Sequence, residues 1–211
     1  MKNYHISLIR HDRTDANDRG QYIGTTDYPL NDRGRNELYD KLDRFVYPKV
    51  ELVYSSPLQR CTETAEILFP HKEMKIAEDF RELHFGQFEG KTASELLQNE
   101  DYRTWLKGGM DVKPPEGESV AELSVRTYQG LYKILLEMMQ EDLQHAALVT
   151  HAGVISNILT CFGLPKLDPK QIQTAPGEGF EIQINPQMWQ QAQAFEILGV
   201  IPFLPEESET F

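Results

Sequence analysis

AALVTHAGVISNIL, residues 146–159, decides the fold class of this chain. Ala146 to Thr150 is an apolar run of strand length, and Val154 to Phe162 has helical character. Only His151-Ala152-Gly153 separates them. A buried strand that feeds almost directly into a helix is the building unit of sheets covered by helices on both faces.

The same grammar recurs upstream. Tyr4 to Ile9 reads as a first strand, and the polar, Gly-containing stretch Asp12 to Arg33 as a long loop of the functional kind. Leu38, Leu42 and Phe45 recur at helical spacing within 33–46. Glu51 to Tyr54 is a second strand, and Ser56-Pro57 opens a helix, with Ser56 as N-cap and Pro70 as terminator. Lys75 to Ala77 reads as a third strand, 81–90 as irregular, and 92–99 and 100–107 as short helices. Pro114-Pro115-Glu116-Gly117 is a turn. Ser119 and Glu122 form a capping box that starts a long helix with Val120, Leu123, Thr127, Leu131, Ile134 and Met138 on one face. Phe180 to Ile184 and Ala194 to Leu198 read as closing strands. The expectation is an α/β fold: a three-layer α/β/α sandwich around a mostly parallel sheet. It forms one domain over 1–211, with a small helical cap around 92–118.

Composition narrows the function. A chain of 211 residues with 40% apolar content builds one substantial core. Its formal net charge of −12 gives it no general attraction for nucleic acid or an anionic membrane. No apolar run approaches the roughly 20 residues of a membrane span, and the N-terminal apolar stretch is cut short by Arg10 and His11. A cytoplasmic protein is therefore expected. Cys61 and Cys161 stand far apart and read as reduced core thiols. PEESETF, residues 205–211, is acidic and aperiodic and reads as disordered.

The chemistry concentrates at strand ends. Arg10-His11 closes the first strand, and His151 sits where a later strand becomes a helix. Ligands of open α/β sheets gather at the carboxyl ends of strands, and free N–H groups at a helix start favour anions. His5, His71, His84 and His145 lack that context. Arg60, one turn into the helix after Pro57, suits a phosphate, which guanidinium matches bidentately. Glu82 lies among Phe80, Leu83, Phe85 and Phe88, and a carboxyl in apolar surroundings holds its proton near neutral pH. Glu89 in the same segment rivals it. No pattern of metal ligands is present in the sequence.

These elements occur in a recognisable order. LIRHDRTDAN (8–17), YIGTTDYPLNDRGR (22–35), VYSSPLQRCTETAEIL (53–68), RELHFGQFEG (81–90), PPEGESVAEL (114–123) and LVTHAGVISNIL (148–159) resemble the motifs of the histidine phosphatase superfamily, also called phosphoglycerate mutase-like. PPEGES and RELHFGQFEG look closest to its α-ribazole phosphatase-like branch. The resemblance implies a phosphomonoesterase acting through a phosphohistidine on a small phosphorylated metabolite, with no metal or organic cofactor. It makes His11 the nucleophile and Glu82 the proton donor. It makes Arg10, Asn17, Arg60 and His151 phosphate ligands, places Gly24 in a loop that approaches the substrate, and puts Ser56 near the pocket without a role. α-Ribazole 5′-phosphate and a small sugar phosphate are the implied substrate candidates, and monomer and homodimer remain open. A phosphoglycerate mutase is the rival activity, and a non-catalytic phosphate-binding protein the third reading. Residues 91–118 are shorter and more mixed in charge than such mutases carry, and both histidines, both arginines and the Glu are retained. The family usually has Gly after the nucleophile, where this chain has Asp12. A carboxylate there opposes phosphate unless it points away or pairs, with Arg13 the nearest cation in sequence.

Overall fold

Parallel strands cannot be joined by tight turns, so each crossover needs a helix or a long connection. The computed structural model, which describes residues 2–205, is built on that constraint. In chain order its elements are β1 (Tyr4–Arg10), α1 (Asp15–Asp18), α2 (Asp32–Arg44), β2 (Leu52–Ser55), α3 (Gln59–Leu68) and β3 (Met74–Ile76). There follow α4 (Ala93–Leu96), α5 (Glu100–Leu106), α6 (Val120–Gln140), β4 (His145–Thr150) and α7 (Ala152–Phe162). The chain closes with β5 (Gly163–Leu164), β6 (Gly179–Ile184), α8 (Pro186–Ala192) and β7 (Phe195–Ile201). The described strands form one seven-stranded sheet in the order β3-β2-β4-β1-β6-β7-β5. β6 is antiparallel to both of its neighbours, and every other pairing is parallel. The α/β class with a mostly parallel sheet holds.

Side-chain alternation along the strands makes the two cores. Ile6, Leu8 and Leu148 face one way and pack with Leu131, Ile134 and Ile155 of α6 and α7. Ile9, Val53 and Val149 face the other way and pack with Leu38 of α2 and Ala65 of α3. The face expected on α6 is buried at Leu123, Thr127, Leu131, Ile134 and Met138, and the Ser119–Glu122 capping box is present. Phe88, Leu96 and Tyr102 form a separate small cluster beside the sheet, packed against Tyr22, Phe85 and Trp105.

Two local expectations need correction, and one element went unread. Ser56 is not the N-cap of α3. That position falls on Leu58, which makes no side-chain cap, and the free Gln59 N–H instead donates to Asp27 Oδ1 at 2.7 Å. The stretch 12–33 is not all loop, because Thr14 nucleates α1 with a reciprocal capping box to Asn17. Residues 186–192, to which the sequence reading assigns no element, form α8, with Asn185 as cap and Pro186 in the first turn. Of the tail expected to be disordered, all but Pro205 lies outside the described residues. Among the described residues no helix is long and apolar enough to cross a membrane.

The packing predicts unequal costs along α6. Leu131 is fully buried, so Leu131→Ala should destabilise by ~2–5 kcal/mol. Val125 is largely exposed on the same helix, and Val125→Ala should change stability by less than about 0.5 kcal/mol. Urea unfolding with unchanged m-values checks both.

Candidate active site

The register of two central strands builds the site. β1 and β4 run parallel with Arg10 opposite Thr150, so the next residues, His11 and His151, emerge side by side. The His11 N–H donates to the Thr150 carbonyl at 2.9 Å, and the two imidazole centroids lie 5.1 Å apart, edge to face. Neighbouring β2 ends beside them, where the Ser56 N–H donates to Val149 O.

Hydrogen bonds assign the ring protons. His11 Nδ1 lies 2.6 Å from the Asp12 carbonyl oxygen, which only accepts, so Nδ1 carries the proton and Nε2 is bare. Arg60 Nε donates to His151 Nδ1 at 3.3 Å, which puts the His151 proton on Nε2, where it donates to Ser56 Oγ at 2.9 Å. Burial lowers both histidine pKa values well below the ordinary value, and Arg60 and Arg10 lower them further. Both rings are therefore neutral at pH 7. The buried thiol of Cys61 touches the His151 ring at 3.5 Å, and burial pushes it up to about 12.

Arg60 is almost wholly buried. Its Nη1 donates to Thr26 O at 2.9 Å and its Nη2 to Gly24 O at 2.8 Å. Gly24 thus holds the arginine with its backbone, and only Gly fits there: a Cβ would stand 2.1 Å from Leu83 O. Glu89, the rival carboxylate, ties down the same loop. It accepts from the backbone N–H groups of Thr25 and Thr26, each at 2.9 Å, and from both threonine hydroxyls. Burial works against its charge, but the bonds from Thr26 and Thr25 prevail and hold its pKa below the usual range. Glu89 is ionised and occupied.

Glu82 behaves differently. Its Oε1 accepts from Leu83 N–H at 2.9 Å and its Oε2 from Gly153 N–H at 3.1 Å, in the first turn of α7. Burial raises its pKa, and those two bonds with Arg60 and Arg10 only partly offset the rise. A Cβ on Gly153 would stand 2.5 Å from Oε1, so glycine leaves room for the carboxyl. Arg10 reaches Thr174 O through Nη1 at 2.6 Å, while its buried Nε has no partner among the described residues.

The structure gathers His11, Arg10, Arg60, His151, Glu82 and Gly24, but the Asn17 side chain makes no hydrogen bond to any of them. Asn17 Oδ1 is committed to the Thr14 N–H and hydroxyl. Asp12 is buried and turned toward α2, its Oδ1 accepting from the Arg13 N–H at 2.7 Å and its Oδ2 lying 3.6 Å from Lys41 Nζ. The expected partner, the Arg13 guanidinium, pairs with Glu37 instead. Sequence reasoning missed Arg126 and Glu118. Arg126 donates to the carbonyls of Asp79, Arg81 and Glu82 and forms a two-pronged pair with Glu118, each prong 2.7 Å. That clamp carries the backbone of Glu82, and no local pattern announces it, since Arg126 is an ordinary helix residue until the fold brings 79–82 beside it.

A neutral imidazole with a bare nitrogen, buried cations without a full set of counter-charges, and a carboxyl whose pKa burial raises together suit phosphoryl chemistry. The chain belongs to the histidine phosphatase superfamily (branch 1), whose family model matches residues 6–195. It is 32% identical over 160 residues to phosphoglycerate mutase-like protein 4 of Arabidopsis thaliana, covering 72% of this chain and 68% of that one. It is 28% identical over 122 residues to phosphoserine phosphatase 1 of Hydrogenobacter thermophilus, covering 56% and 58% of the two chains. The crystal structure of the α-ribazole phosphatase from Shigella flexneri superposes with a TM-score of 0.74 at 25% identity, covering 87% of this chain and 92% of that one.

The orientation of Asp12 yields a prediction. A carboxylate facing phosphate at about 4 Å would repel it by ~4 kcal/mol at an effective dielectric of 20, or roughly a thousandfold in affinity. Asp12 faces Lys41 instead. Asp12→Asn should therefore change the inhibition constant of inorganic phosphate by less than about threefold at fixed ionic strength.

Proposed function

We propose that the protein is a phosphomonoester hydrolase that works through a phosphohistidine on His11. The observation that carries this reading is the fixed tautomer of His11: with its Nδ1 proton given to the Asp12 carbonyl, Nε2 keeps a free lone pair in a pocket of buried arginines. In the first step Nε2 attacks phosphorus, the bond to the ester oxygen breaks, and Glu82 gives its proton to the departing alkoxide. In the second step water attacks the phosphohistidine, the P–N bond breaks, and the Glu82 carboxylate takes a proton from the water. Arg10, Arg60 and His151 hold the phosphoryl oxygens, and Arg10 Nε, which lacks a partner among the described residues, is placed to meet one. Asn17 helps to position the group through the amide nitrogen that Thr14 leaves unused, and the Gly24 loop borders the substrate.

The substrate is a small phosphorylated metabolite, with α-ribazole 5′-phosphate and a small sugar phosphate as candidates. The work is done in the cytoplasm, by side chains alone. The likeness to a mutase-like relative supports a second reading, return of the phosphoryl group to a bound acid. Release of inorganic phosphate from phosphoglycerate favours the hydrolase, and isomerisation favours the mutase.

Two outcomes test the assignments. Substrate labelled on phosphorus should leave an acid-labile label on the native protein and none on a folded His11→Ala variant. Glu82→Gln should slow alkyl phosphates by roughly 100-fold or more, and p-nitrophenyl phosphate much less, because nitrophenolate leaves without protonation. With the Glu82 pKa raised, its acid form survives to higher pH, so activity on alkyl phosphates falls as pH rises through that pKa. The Glu82→Gln profile should lack that limb.

A further inference from the structure

Beside Glu82 opens a cavity of about 440 Å³. Its walls include Thr25, Arg81, His84, Lys113, Glu118 and Glu122; the His84 imidazole is the one ring among them, and no large aliphatic side chain lines it. An alcohol esterified to a phosphate on His11 and protonated by Glu82 would lie on this side. The wall is charged with both signs, but its charges are not equally available.

Arg126 also lines the cavity, yet it has nothing to offer a ligand. A guanidinium has five N–H donors. Arg126 spends them on three carbonyls and the two oxygens of Glu118. The Glu118 carboxylate is held in the same embrace. Lys113 and Glu122 differ. They meet at 2.9 Å, and each side chain is about half exposed, at 50% and 51%. Arg81 is comparably open and holds Glu78 through a single 3.2 Å contact. Exposed pairs of this kind bind each other weakly and are readily exchanged.

We propose that this cavity selects phosphomonoesters whose alcohol carries both an ammonium and a carboxylate, as a phosphorylated amino acid does. The proposal rests on the hydrolase reading above and names its substrate class. A zwitterion replaces both halves of the Lys113–Glu122 pair at once: its carboxylate takes Lys113, with Arg81 as second cation, and its ammonium takes Glu122. A carboxylate without an ammonium wins Lys113 but strands Glu122 beside a like charge. A neutral polyol leaves the pair closed and gains little. A flat aromatic nucleoside finds only the His84 ring, and no aliphatic wall, to stack on.

The test is steady-state phosphate release from O-phospho-L-serine, 3-phosphoglycerate, glycerol 3-phosphate, α-ribazole 5′-phosphate and p-nitrophenyl phosphate. O-Phospho-L-serine should exceed glycerol 3-phosphate in kcat/KM by about tenfold or more, with 3-phosphoglycerate between them. Lys113→Gln, a change at an exposed side chain, should collapse the phosphoserine-to-glycerol phosphate ratio toward unity. Glu122→Gln keeps an acceptor for the Ser119 cap and should lower phosphoserine relative to 3-phosphoglycerate by about fivefold. Equal rates on phosphoserine and glycerol 3-phosphate, or a preference that survives both substitutions, would overturn the proposal and leave the hydrolase reading standing. The same holds if α-ribazole 5′-phosphate proves the best ester. Absence of phosphate release from every ester, p-nitrophenyl phosphate included, would overturn the hydrolase reading itself and this proposal with it.

Discussion

A guanidinium taken out of water is the constraint around which this molecule is arranged. Arg60 is almost fully buried, and an unsolvated cation is tolerated only when its donors are met and its charge is at least partly answered. Three of its five donors are met, by the carbonyls of Gly24 and Thr26 and by His151. Those carbonyls hold their places because Glu89 fastens Thr25 and Thr26 and because Asp27 is engaged at the start of α3. The long connection between β1 and α2 is thus a structural part of the arginine's coordination. The charge is answered less completely. Glu82 is the nearby acid, and the burial that raises its pKa works against the charge it could supply. On the proposed reading, a dianionic ester completes the arrangement.

The same shortage of counter-charge sets the two histidines. Each sits in an environment that penalises its protonated form, so both stay neutral without a carboxylate to orient them. Their ring protons are directed by a backbone carbonyl in one case and by Arg60 and Ser56 in the other. Glu82 meets the same low-dielectric pocket with the opposite result, because burial penalises its charged form too. One physical cause, desolvation, disfavours the charged forms of the histidines and of the acid alike. The Arg126–Glu118 clamp fixes where that acid stands, and the loose pair at Lys113 and Glu122 borders the space beyond it.

Much of this was legible in the sequence because the signals were local. The apolar runs at β1 and β4, the capping box before α6, and the helical spacing along it all report on neighbours within a few residues, and they fix the layers of the fold. Arg10, His11, Arg60, His151 and Glu82 stood out as residues at strand ends, at a helix start or in an apolar segment. What escaped depends on partners far along the chain. Ser56 before Pro57 has the local form of a cap, but its hydroxyl is drawn to His151, and the cap is supplied by Asp27. Asp12 next to Arg13 invites a local pair, yet Lys41 and Glu37 of α2 divide the two charges differently. α8 is the opposite case: Asn185-Pro186 is a local helix start that went unread.

The central position of β1 carries a consequence for how the chain is made. β1 precedes the other described elements in the chain, but its two neighbours, β4 and β6, come late: Ser7 of β1 bonds His145 of β4 from 138 residues away and Glu181 of β6 from 174. During synthesis the apolar face of β1 and both its edges have no native partner until most of the chain has emerged. The local helices and the β2–β3 pair can form early, whereas closure of the sheet through β1 waits for the second half of the polypeptide. Long-range pairing of this kind slows folding and leaves strand edges open to wrong partners. The histidine at the end of β1 therefore gains its companion on β4 only in that closing event.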